Sequence, residues 1–351
     1  MNLDHERGAA AVIDPWGSPE AVKKERHVAR FLEREYRAAF EQGATLAELG
    51  ISATSGPMWE ETDALIETHY DERIEFFQTF LDRDYLAYSM AWWGETADEA
   101  EAADITLEAA QKAKFDLICE RAEIRGDERI LNIGCGFGSF EKYLLARHPD
   151  VSVTAITPSR VQAAHLRTAL DDPGSPLTPD NFRLLQTDFT ALSAEDVTPG
   201  SFDLVISIGV VEHLKNMSAF NEKIAWLLKP GGRSFHHFIV SKMVIPQFLD
   251  ARKSLIGAYF PGGRIWPFDE FPRHDRDLHF ETGWFLNGMN YWRTLDEWHR
   301  RFWAGRAALE QRMTPQRLRH WNDYFILCKA CFLPGRGSWF GNGHYRFRKP
   351  C

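Results

Sequence analysis

The chain of 351 residues has few cysteines, no long apolar run and no excess of positive charge. Its five cysteines, Cys119, Cys135, Cys328, Cys331 and Cys351, are odd in number and scattered. That argues against a disulfide framework and for a reduced, cytoplasmic protein. One Cys-x-x-Cys occurs, Cys328-Lys-Ala-Cys331, without a second pair or paired histidines to complete a zinc site. Within the apolar segment Tyr324 to Phe332 these two thiols read as small core residues, and no metal is expected. No apolar stretch approaches the roughly 20 residues that span a bilayer. The first residues, Met1-Asn-Leu-Asp-His-Glu-Arg7, are polar, so no secretory leader is expected. With 41 basic against 50 acidic residues the formal charge is −9. A nucleic-acid partner and constitutive binding to an anionic membrane are therefore not expected.

What the chain does contain is a run of short apolar strands with polar residues at their ends. Arg129 to Ile133 leads straight into Gly134-Cys-Gly-Phe-Gly138. Glycines at 134, 136 and 138 let the backbone take positive φ and let a ligand lie against the main chain. A helix, Phe140 to Arg147, follows, then the strand Val151 to Ile156, which ends in Thr157-Pro-Ser-Arg-Val-Gln162. A dinucleotide-binding unit places Asp or Glu at this strand end to hold a ribose, and here there is none. Phe182 to Gln186 ends in Thr187-Asp188-Phe189, and Phe202 to Ser207 ends in Ile208-Gly-Val-Val-Glu212-His213. A fifth strand, Arg233 to Val240, follows Leu228-Lys-Pro-Gly-Gly232. Alternating strands and helices predict an α/β, doubly wound, mostly parallel sheet. Ligands bind at the carboxyl ends of such strands, where all these polar residues fall.

From about His69 to the C-terminus these motifs together resemble one group of class I S-adenosylmethionine-dependent methyltransferases. The group joins cyclopropane fatty acid synthases with coclaurine-type N-methyltransferases. Asn132-Ile-Gly-Cys-Gly-Phe-Gly138 stands where the family has Asp-Ile-Gly-Cys-Gly-Trp-Gly. Thr157 and Gln162 match its Thr-x-Ser-x-x-Gln, and Ser207 to His213 matches its Ser-x-x-x-x-Glu-His. Tyr88-Ser-Met-Ala-Trp92 sits where the family has a Tyr-Ser-Cys stretch, over the cofactor. Asn287-Gly-Met-Asn-Tyr291, with Thr294 and Trp298, matches a late family stretch.

The resemblance implies a Rossmann-like seven-stranded sheet with an N-terminal helical cap and a cap insertion after the fifth strand. The expected divisions are a helical region and cap over 1–127, a cofactor-binding core over 128–240, a substrate-cap insertion over 241–288, and the rest of the methyltransferase core over 289–351. Residues 1 to about 60 lie outside the resemblance. The expected cofactor site is Tyr88, Ser89, Gly134, Gly136, Gly138, Thr157, Gln162, Thr187, Asp188, Phe189 and Ile208. The expected catalytic set is Glu212, His213, His237 and Tyr291.

Within that set the resemblance makes Glu212 and His213 an acid/base pair with His213 as base. The bland alternative is an acidic residue at a helix start. It implies that His237, Ile239 and Tyr291 frame a bicarbonate ion, as in the synthases; hydrogen-bonded core residues are the alternative. Two positions depart from the family. Met90 replaces a cysteine of the bicarbonate site, and Gly209 replaces a glutamate of the N-methyltransferases. Trp92, Trp93, Trp266, Trp284 and Trp292 offer either an aromatic cage for the acceptor or ordinary packing.

The reading is methyl transfer from S-adenosylmethionine to a small, largely apolar acceptor, with N-methylation of an amine favoured. The alternative is C-methylation or cyclopropanation of an alkene in a lipid or isoprenoid. A cofactor-binding protein that has lost catalysis is the third, from a different class. The acceptor should lie under a lid, lined by Tyr88, Trp92, His237 and Tyr291. A homo-oligomer is compatible with the sequence.

Overall fold

The computed structural model describes residues 13–59, 72–249 and 263–351. The chain opens with α1 (Pro19–Gln42), whose first turn is stopped by the Ser18 hydroxyl accepting the Ala21 N–H and whose end is Gly43 at φ +59°. Three shorter helices follow, α2 (Ile74–Phe80), α3 (Ala97–Ala102) and α4 (Leu107–Arg121). Thr96 and Glu99 form a capping box on α3, and Thr106 caps α4.

The alternating core is β1 (Arg129–Ile133), α5 (Ser139–Arg147), β2 (Ser152–Ile156), α6 (Arg160–Leu170), β3 (Phe182–Leu185), β4 (Phe202–Ile208), α7 (Met217–Leu227) and β5 (Leu228–Ser241). The chain continues through α8 (Pro246–Leu249), β6 (Trp266–Pro267), β7 (His279–Leu286), α9 (Met289–Ala304), α10 (Arg306–Glu310), α11 (Pro315–Phe332) and β8 (Phe340–Arg348). The sheet runs β3-β2-β1-β4-β5-β8-β7, with the two-residue β6 beside the end of β5. The seven expected strands are there, and β6 is an eighth. β1 to β5 are parallel, while β8 runs antiparallel between β5 and β7. The strand order reverses between β1 and β4, which opens a crevice at their carboxyl ends.

Both faces of the sheet are covered. Phe115, Phe140, Leu144 and Leu166 pack on one. Phe220, Ile224, Trp266 and Phe271 pack on the other. Two expectations about the cap change. Trp266, Phe271 and Leu278, all in the expected insertion, lie in the core beneath the sheet rather than over the crevice. The Tyr259-Phe-Pro part of that segment lies outside the described residues. α9 and α11 join the N-terminal helices in the cap, where Leu32, Tyr36, Phe77 and Phe80 pack with Trp298, Trp321 and Phe325, and Ile245 and Ile265 of the insertion pack into the same layer. Buried Lys329 pins these helices, meeting Glu25 at 2.7 Å and Asp296 at 3.0 Å. So 289–332 belongs with the cap layer, and β8 alone returns to the sheet. The two thiols of the Cys-x-x-Cys lie in α11 within this layer, Cys331 buried and Cys328 partly so.

Candidate cofactor cleft and catalytic turn

Three glycines shape the turn after β1, each for its own reason. Gly134, Gly136 and Gly138 all have positive φ, +73°, +59° and +74°. A Cβ on Gly134 would meet Val210 at 2.6 Å, and one on Gly138 would meet Leu166 at 2.4 Å. A Cβ on Gly136 would meet nothing within 4 Å. The outer two are thus closed by packing, and Gly136 faces the open cleft. The N–H groups of Gly134 and Cys135 both donate to the Ile156 carbonyl, at 2.9 and 3.0 Å, and tie the turn to β2.

The ends of the neighbouring strands complete the wall. The Thr157 hydroxyl donates to the Gln162 amide oxygen at 2.7 Å, so the Gln162 NH₂ is the donor that this side chain can offer a ligand. Asp188 caps a single turn through Thr190 N–H and accepts the Trp59 indole N–H at 3.2 Å. Phe189 lies beside it in the cleft wall. The cleft is further lined by Tyr88, Ser89, Asn132, Ile208, Gly209 and His213. Gly138 and Thr187 do not line it. Gly138 starts α5, and the Thr187 hydroxyl turns to the Asp188 carbonyl.

Three wall features went unread in the sequence. Trp59 closes the Asp188–Phe189 end, its ring against Phe189 and Phe220. Its segment is strapped to the start of α7, where the Met58 carbonyl accepts Lys215 N–H at 2.8 Å. The Asn132 amide donates to Glu141 at 2.5 Å, and burial lifts the Glu141 carboxyl to about 7. The swap of the family's Asp for Asn132 was visible, but its partner on the next helix was not. Lys114 lies buried behind Ser89, at 2.8 Å from its hydroxyl.

β4 leads into a single tight turn, Val211–His213. His213 lies in the cleft wall, and burial pushes its pKa down to about 4. It is therefore a neutral imidazole at pH 7, the form that accepts a proton. Glu212 points behind the wall. One carboxylate oxygen accepts the Ile239 N–H at 2.9 Å, and burial lifts its pKa to about 7.

The family profile of "Mycolic acid cyclopropane synthetase" matches residues 59–338. The chain belongs to that family. It is a family of S-adenosylmethionine-dependent methyltransferases, with both cyclopropane synthases and N-methyltransferases among the relatives. The chain is 28% identical over 266 residues to the cyclopropane-fatty-acyl-phospholipid synthase of Escherichia coli (strain K12), covering 75% of this chain and 63% of that one. It is 27% identical over 221 residues to a probable (S)-tetrahydroprotoberberine N-methyltransferase 2 of Papaver bracteatum, covering 60% and 58%. The chain thus spans about three fifths of the length of these curated relatives. Its fold matches coclaurine N-methyltransferase bound to N-methylheliamine and SAH, with TM-score 0.79, 22% identity, and coverage of 94% of this chain and 99% of that one.

The cleft fits the family's cofactor. Gly136 provides backbone open to a ligand, and Gln162 and Asp188 stand at successive strand ends. The bicarbonate site implied by the synthases does not fit. Arg121 donates to His344 Nδ1 at 3.0 Å, because a guanidinium has no lone pair to offer. Neutral His344 then carries its proton on Nε2 and donates to His237 Nδ1 at 2.7 Å. Both ring nitrogens of His237 are already taken, Nδ1 by His344 and Nε2 by the Asn342 amide at 3.2 Å. Its pKa sits well below the ordinary value, first from burial and then from the charges of Lys114 and Arg121. The Ile239 N–H is taken by Glu212, and Met90 is fully buried.

Of the four residues expected in one acceptor wall, Tyr88 lines the cleft, and Trp92, His237 and Tyr291 are not among the residues that line it. Tyr291 packs against Phe332 and Trp298 in the cap, at ring separations of 4.7 and 6.4 Å, and Tyr88 packs on the same Trp298 at 5.4 Å. The Trp92 backbone N–H donates to the Ala110 carbonyl on α4. The tryptophans do not form a cage either. The indole N–H groups of Trp93, Trp266 and Trp292 go to Thr294, the Leu214 carbonyl and Glu25. Trp284 lies under the Arg121 guanidinium at 4.9 Å. His236, hydrogen-bonded to Ser207 at 2.8 Å, is a core residue.

These buried groups oppose one another in pH. Burial holds His213 near 4 and His236 and His299 near 3. Unfolded, they bind protons below about 6.5, so they cost stability as pH falls through 6.5 toward 4. Glu141 and Glu212 have raised folded values of about 7. Their contribution is full below the unfolded value near 4.5 and is lost as pH rises to about 7. Glu141→Gln is therefore expected to raise the melting temperature at pH 7.5 and not at pH 4.5. An equal shift at both values in thermal melts would remove the buried charge as the cause.

Proposed function

We propose that this chain transfers the methyl group of S-adenosylmethionine to a small, largely apolar acceptor, and that the acceptor is an amine. The observation that carries this reading is a neutral, half-buried His213 in the wall of the cleft, one residue past the Glu212 carboxylate. The cofactor supplies an electrophilic methyl on a sulfonium centre. The acceptor nitrogen needs its lone pair, and an amine near neutral pH is largely protonated. His213 takes that proton, directly or through one water, and becomes an imidazolium. Glu212, ionised in part near pH 7 and held by the Ile239 N–H, stabilises that charge from behind. Gly136 lets the cofactor settle on the main chain, Gln162 meets its ribose, and Asp188, Phe189 and Trp59 enclose its adenine. The apolar walls exclude water from the transfer.

The second reading, methylation of an alkene, rests on the cyclopropane synthases among the relatives. An alkene carries no proton to lose beforehand, and a base acts only on the carbocation after transfer. The poor fit of the bicarbonate site weighs against it. The test is incubation with methyl-labelled cofactor and panels of amines, unsaturated lipids and prenyl diphosphates. Label in an N-methyl product, with a rate that rises with pH as the amine deprotonates, is the expected result. Label confined to alkene products would replace the amine reading with the second. Cofactor binding with no transfer to any class would leave a binding protein.

A further inference from the structure

We propose that Lys114, acting through the Ser89 hydroxyl, recognises the carboxylate at the amino-acid end of the cofactor. The inference rests on the reading that the cleft holds S-adenosylmethionine. Lys114 is fully buried on α4, and its ammonium donates to Ser89 Oγ at 2.8 Å. Ser89 lies in the cleft wall, close to the glycine turn. A serine whose oxygen already accepts from an ammonium turns its own proton outward as a donor. The cofactor carries one carboxylate, and this is the kind of group such a donor takes.

The charges around Lys114 leave it short of an anion. Among the described residues no carboxylate comes within 4.0 Å of its ammonium. Asp82, in the loop before α3, acts on it only at a distance. The two Asp82 oxygens are spent on the Tyr85 and Ala87 N–H groups, both at 2.7 Å. Arg121, on the same helix, is a second cation, and His237 on β5 and His344 on β8 are held neutral by burial and by these cations. Its ammonium also lies over the Phe115 ring at 4.2 Å. A buried cation without a carboxylate partner is still costly, and a ligand carboxylate lowers that cost. Burial brings Lys114 down to about 7, with Asp82 pulling the other way. An arriving carboxylate favours its charged form, so binding should take up a proton above neutral pH.

The test compares two ligands that differ by that group: S-adenosylhomocysteine and its decarboxylated analogue. Calorimetric titrations are made with wild type, Lys114→Met and Ser89→Ala, each checked by thermal melting. Wild type should prefer the carboxylate ligand by roughly 10–100-fold, the range of a charge-assisted hydrogen bond. Lys114→Met should lose that preference and keep its affinity for the decarboxylated analogue. Ser89→Ala should lose part of it and covers the case in which Lys114→Met does not fold. Wild-type affinity for S-adenosylhomocysteine should fall from pH 7 to 9 more steeply than that of Lys114→Met, which shares the ligand's own ionisations. Equal weakening of both ligands, or a preference that survives both substitutions, would overturn the role of Lys114 and leave the cleft assignment standing. Failure of wild type to bind S-adenosylhomocysteine at all would overturn the cleft assignment, and this proposal with it.

Discussion

His213→Ala is expected to lower turnover by about 10²–10⁴-fold, the usual contribution of a positioned general base, while S-adenosylhomocysteine affinity is largely kept. The sign of its pH response separates the two acceptor classes. With an amine, raising pH deprotonates the acceptor in solution and restores part of the lost rate. With an alkene there is no proton to remove before transfer, and no rescue follows. Wild type should show no ionisation near the ordinary histidine value, because burial holds His213 near 4. His237→Ala is the companion measurement. It breaks the chain from Arg121 through His344, so it should cost stability, about 1–3 kcal/mol for buried groups left unpaired. A loss of rate confined to His237→Ala, with no pH rescue of His213→Ala, would count against the amine reading.

Gly136→Val should abolish cofactor binding at concentrations that saturate wild type, in a protein that still folds. Both halves follow from the local geometry. The backbone at 136 has φ +59°, where a β-branched residue is strained by roughly 1–2 kcal/mol. Nothing lies within 4 Å of the new Cβ, so packing survives, and the branched side chain enters the cleft. Gly138→Val is the control. Its Cβ would meet Leu166 at 2.4 Å, so it should lower the melting temperature far more. Unchanged S-adenosylhomocysteine affinity in a folded Gly136→Val protein would mean that the cofactor lies elsewhere.

The order of the strands, the glycine turn and the Thr157–Gln162 pair were legible because each is local. A strand, its turn and the following helix occupy consecutive residues, and their spacing carries the geometry. The role of His237 was not legible. Its partner His344 lies 107 residues further on, and the register of β5 against β8 sets the two side by side. The same holds for Lys114 behind Ser89 and for Trp59 over Asp188, each joined across different elements.

By itself, then, the sequence determined the α/β core, the family motifs and the carboxyl-edge position of the cleft. These follow from hydrophobic period, glycine placement and alternation of strand with helix. Only the tertiary structure decided which polar groups face the cleft and which are spent in the core. It left His213 in the cleft wall as a neutral imidazole, used the lone pair of His237 inside the core, and drew residues 289–332 into the cap. Whether a polar group faces the cleft or is spent inside the core depends on neighbours that arrive from distant segments. Burial and pairing, which set its charge, arise only when those segments pack.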